Sequence, residues 1–94
     1  MKIEIVKYLD KMGVRHSLSG FDYLVRAIEI GLEDKKTITK NIVKNCYEVI
    51  GKENDISFQR VERTIRHAIQ TSEYPNMCNS EFIAKAVDTI RYGV

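Results

Sequence analysis

The residues best equipped to read another polymer lie between Ser57 and Ser72, in the stretch SFQRVERTIRHAIQTS. Arginine and glutamine carry forked donors and acceptors that match the major-groove edges of guanine and adenine, and glutamate accepts from a cytosine amine. Gln59, Glu62, Arg63 and Arg66 are therefore the candidate base-reading set, with Arg60 and His67 as candidates for the phosphate backbone. Each has a plainer alternative. Arg63 could pair with Glu62 or Gln59, Glu62 could pair with Arg66 one turn on, and His67 could serve a structural hydrogen bond.

These side chains need a helix to present them. At about 100° per residue, Val61, Ile65, Ala68 and Ile69 form one apolar stripe. Gln59, Arg63, Arg66, His67 and Gln70 fall opposite, with Glu62 at the border. Ser57 is a good N-cap. Upstream, a helical region from about Thr37 to Lys52 puts Ile38, Ile42, Cys46, Val49 and Ile50 inward, with Thr37 or Thr39 as cap and a break before Tyr47. The polar turn Glu53–Ile56 separates it from the Ser57 helix, which is helix-turn-helix spacing over about 47–72.

The rest of the chain also reads as helix. Ile3, Val6, Tyr8, Leu9 and Met12 suggest a short helix that stops at Gly13. The Ser17–Gly20 stretch supplies a turn and cap for a second helix burying Phe21, Leu24, Val25, Ile28 and Leu32. After the Pro75 loop, Asn79 or Ser80 caps a last helix with Phe82, Ile83, Ala86, Val87 and Ile90 inward. The expected fold is all-α, a compact bundle of about five helices forming one domain over 1–94.

Composition narrows the function. A net charge of +2 disfavours a nonspecific nucleic-acid binder, yet three arginines oppose one glutamate within Ser57–Ser72. Lys36, Lys40 and Lys44 recur every fourth residue, so on a helix they would form one basic ridge, either gripping DNA phosphates or simply solvated. Asn79 and Ser80 open a helix whose free N–H groups could hold a phosphate, or act as plain caps. The chain has no bilayer-length apolar run and no signal-peptide pattern, so a cytoplasmic protein with Cys46 and Cys78 reduced is expected, with no membrane partner. His16, Cys46, His67 and Cys78 lack metal-ligand spacing, and no nucleophile–base set or glycine-rich phosphate loop emerges. No metal, no cofactor and no enzyme activity are expected.

Longer motifs sharpen this reading. Residues 60–69, RVERTIRHAI, closely resemble the RVERAIRHAI signature of the C-terminal DNA-binding effector domain of the stage zero sporulation protein A family. Residues 79–84, NSEFIA, resemble the signature opening that family's last helix, and Asp88 and Arg91 match further on. Met12–Val14 and Gly20–Leu24 look like its IGVPAHIKGYxYL segment, while Tyr47, Ile50 and Lys52 fit its YPDIAK helix. The resemblance implies base-reading roles for Glu62 and Arg63, and His67 matches a family histidine. It also implies a TGTCGAA-like target box, often in tandem copies.

Four departures accompany the likeness. The family's phosphorylatable receiver domain is absent from these 94 residues. The connection Thr71–Cys78 is shorter than the family's, which carries an additional helix and loop and contributes to head-to-tail dimer contacts. Glu48 stands where the family has proline, and Gln59 where it has serine, so base preference could differ. The sequence therefore predicts a sequence-specific double-stranded DNA-binding transcription regulator, with a homodimer on tandem sites or a partner regulator as further partners. The rival is a receiver-less interaction module that dimerises with or modulates a full-length regulator and binds DNA weakly.

Overall fold

Six α-helices and one π-helical turn make up the computed structural model, which describes residues 2–93. In chain order these are α1 (Lys2–Lys11), α2 (Ser19–Glu33), α3 (Lys36–Thr39), the π turn (Val43–Tyr47), α4 (Glu48–Asn54), α5 (Phe58–Gln70) and α6 (Asn79–Tyr92). The described residues form no strand, and the all-α bundle read from the sequence is what the chain adopts. Among the described residues, no helix is long and apolar enough to cross a membrane.

The most hydrophobic helix, α2, is the one on which the others pack: α1, α3, α4, α5 and α6 all contact it. Its apolar stripe buries Phe21, Leu24, Val25 and Ile28 as expected, while Leu32 is only half-buried. Against this stripe lie Ile65, Ala68 and Ile69 of α5 and Phe82, Ile83, Ala86 and Val87 of α6, all in one core cluster. The α2–α5 crossing is close because Gly20 has no side chain. A Cβ there would sit 2.5 Å from the Thr64 carbonyl oxygen and 2.6 Å from the Ala68 Cβ. In α1 the buried set is Ile5, Tyr8 and Leu9, whereas Ile3 is 69% exposed. The inward spacing is thus i, i+3, i+4 counted from Ile5.

The expected third helix is broken elsewhere than anticipated. Lys40 turns extended and ends α3, and Asn41 follows at φ 50°, a left-handed conformation that asparagine tolerates better than most residues. The chain then enters the π turn, whose extra residue per turn shifts the register so that Cys46 and Tyr47 are both buried. No break occurs before Tyr47, since α4 continues directly from the turn. Thr37 and Thr39 do not cap α3. The Asp34 carboxylate accepts from the Lys36 N–H at 3.0 Å instead.

Polar ties fix the outer elements. The Arg26 guanidinium donates from Nε and Nη2 to the Glu53 carboxylate at 3.0 to 3.1 Å, clamping α2 to α4. Lys35 pairs with Asp88 at 2.8 Å, and the Glu73 N–H donates to the Met12 carbonyl at 2.9 Å, which seats the connection between α5 and α6. The N-cap of α2 is Leu18, which contributes no side-chain bond, so the Ser17–Gly20 cap expected from the sequence does not form.

Candidate nucleic-acid interface

α4 and α5 build the helix-turn-helix. The first runs to Asn54, and Asp55 follows in a left-handed conformation (φ 57°) that turns the chain sharply. The turn is therefore Asp55–Ser57, shorter than the Glu53–Ile56 segment suggested by composition. Gly51 makes the corner tight, because a Cβ at that position would lie 2.6 Å from the Ile56 carbonyl oxygen. Ser57 caps α5 by accepting from the Arg60 N–H at 3.2 Å.

The buried face of α5 is Val61, Ile65, Ala68 and Ile69, each 0% exposed, as the helical spacing predicts. The opposite face leaves Gln59, Arg60, Arg63, Arg66, His67 and Gln70 exposed. Among the described residues, the side chains of Gln59, Arg60, Arg63 and His67 make no hydrogen bond or ion pair, so their donors are available to a ligand. Glu62 and Arg66 differ. The Arg66 Nη1 donates to Glu62 Oε1 at 2.8 Å, the i, i+4 pair anticipated as the plainer role of Glu62.

A shallow groove of about 340 Å3 runs along this face, with Gln59, Glu62, Arg63 and Arg66 on one side. Val43 and Tyr47 from the π turn and Phe58 from the start of α5 supply the other. These three apolar contributors escaped the sequence reading. Phe58 lies near the apolar stripe by its spacing, and Val43 and Tyr47 reach α5 only through tertiary packing. Tyr47 is buried, and that burial raises its phenol to about 12 against a weaker opposing effect from Asn79.

The outlying candidates divide. Lys36, Lys40 and Lys44 are all exposed, but no single helix carries them. Lys36 lies in α3, Lys40 caps its end, and Lys44 follows the Asn41 break in the π turn, so the one-helix ridge is not formed. Asn79 is buried, and its Nδ2 donates to the Glu62 carbonyl at 2.9 Å, which directs the side chain inward rather than toward a phosphate. Neither Asn79 nor Ser80 caps α6. The N-cap is Cys78, whose thiol donates to Glu81 Oε1 at 3.3 Å, and Ser80 is half-buried just inside the helix.

The chain matches, over residues 5–75, the family described as "Sporulation initiation factor Spo0A C terminal". It belongs to that family. The Spo0A C-terminal domain is a DNA-binding effector domain, so this protein is a DNA-binding regulator of transcription, from a regulatory rather than an enzymatic family. The matched span takes in α2, the helix-turn-helix and all of α5, and ends inside the Thr71–Cys78 connection. That connection leads into α6 through Cys78.

Proposed function

We propose that the protein is a sequence-specific regulator that inserts α5 into the major groove of a TGTCGAA-like box. Arg63 reads a guanine through its forked guanidinium, and Gln59 adds a contact to an adenine or a phosphate. Glu62 and Arg66 enter as a pair. One carboxylate oxygen holds Arg66 and the other is open to a cytosine amine. Arg60, His67 and the lysines Lys36, Lys40 and Lys44 serve the phosphate backbone, together with the N–H groups at Ser80.

The observation that carries this reading is the state of Arg63. It is exposed and unpaired on a helix whose other face is wholly buried, so an always-charged fork is held on a rigid element with nothing to satisfy it internally. The residues one turn away on α5 are Gln59, Arg60, Arg66 and His67, so no carboxylate is in register to pair with it. Copies of the box in tandem would recruit more than one chain, and a role in sporulation follows from the family description. The test is a titration of the chain against a duplex carrying the box and a scrambled duplex at two salt concentrations. Preference for the box supports base reading. Equal and strongly salt-sensitive binding would indicate backbone contact alone, and binding to neither duplex would favour the interaction module.

A further inference from the structure

The groove beside Arg63 has a chemical character that guanine reading does not use. Val43 and Phe58, both half-buried, give it an apolar floor next to buried Tyr47, while Gln59, Arg63 and Arg66 bring hydrogen-bond donors and Glu62 a carboxylate already held by Arg66. An occupant that satisfies both must present an acceptor and a small apolar group side by side. Of the four bases, only thymine does so in the major groove, with O4 next to the C5 methyl. Guanine offers acceptors without a methyl, and adenine and cytosine lack a methyl too, so neither they nor guanine would cover the apolar lining. The cationic rim also suits the negative potential of DNA, and the groove is continuous with the exposed face of α5.

We infer that the Val43–Phe58 floor is a thymine-methyl subsite, a specificity determinant lying beside the base contacted by Arg63. The inference rests on the proposed major-groove docking of α5. Val43 owes its place here to the π turn, which swings this part of the chain onto the start of α5. Removing the methyl forfeits burial of about one carbon, which corresponds to a roughly four-fold loss of affinity.

The experiment uses the full chain and alters the DNA first, so that no folding defect intervenes. A duplex is enriched from a randomised pool, and each of its thymines is replaced in turn by deoxyuridine, which removes only the methyl. The same series is then titrated with Val43→Ala. Expected is one thymine whose replacement weakens binding by about four-fold in the native chain and has almost no effect in Val43→Ala. A selected duplex that outcompetes a scrambled one yet is indifferent to every replacement overturns the subsite and leaves base reading intact. A methyl effect of equal size in Val43→Ala also overturns it, because the methyl is then read elsewhere. Enrichment of no sequence at all overturns both the subsite and the docking on which it rests.

Discussion

The side-chain amide of Asn79 donates to the main-chain carbonyl of Glu62 at 2.9 Å, joining the first residue of α6 to the middle of α5. Glu62 and Arg63 are thereby held from behind by a partly buried bond while their side chains face outward. Asn79→Asp keeps the shape but replaces the donor with an acceptor facing a carbonyl. It is expected to cost about 1–3 kcal/mol of stability, measured by urea unfolding. It should also lower preference for the box more than it lowers binding to a scrambled duplex.

Gly20 sets the distance between α2 and α5. Gly20→Ala places a Cβ against the backbone of Thr64, which cannot move aside as a flexible side chain would. The expected cost is about 1–3 kcal/mol, seen as a lower urea midpoint with an unchanged slope. A neutral result would show that the crossing yields without penalty.

The Glu62–Arg66 pair is partly exposed, with side-chain exposures of 34% and 54%, so it contributes little to stability. A double-mutant cycle on thermal unfolding should return a coupling of about 0.3–0.5 kcal/mol. Glu62→Gln should by contrast change discrimination at a cytosine position in a binding titration, because it alters the acceptor without removing the helix.

Alkaline pH should unfold the protein. Burial raises the Cys46 thiol from 9.0 to about 12, so the folded chain keeps a proton that the unfolded chain releases. Stability is fully present below pH 9 and falls as pH rises from about 9 toward 12, with buried Tyr47 adding to the loss from pH 10. Circular dichroism across that range checks the trend. In native protein at pH 8, iodoacetamide should label exposed Cys78 well before Cys46.

What the sequence made legible was governed by local periodicity. The stripe Val61, Ile65, Ala68, Ile69 keeps one helical period without interruption, so both faces of α5 follow from spacing alone. The region 36–47 breaks that rule without glycine or proline, through Asn41 and an inserted π residue, and the lysine ridge failed there. Ile5, Tyr8 and Leu9 carried the right phase of α1, obscured by the exposed Ile3. Asn79 has the composition of a cap, but its partner Glu62 is 17 residues away, a pairing that no local pattern encodes.

The central claim is that the outward side chain of Arg63 reads a base. Binding of the native chain and of Arg63→Ala to the box duplex and to a scrambled duplex at one salt concentration tests it most directly. Because Arg63 is exposed and unpaired, the variant should fold with unchanged thermal stability, yet lose about 1–3 kcal/mol of preference for the box. An equal loss on both duplexes, or no loss on either, would contradict the account.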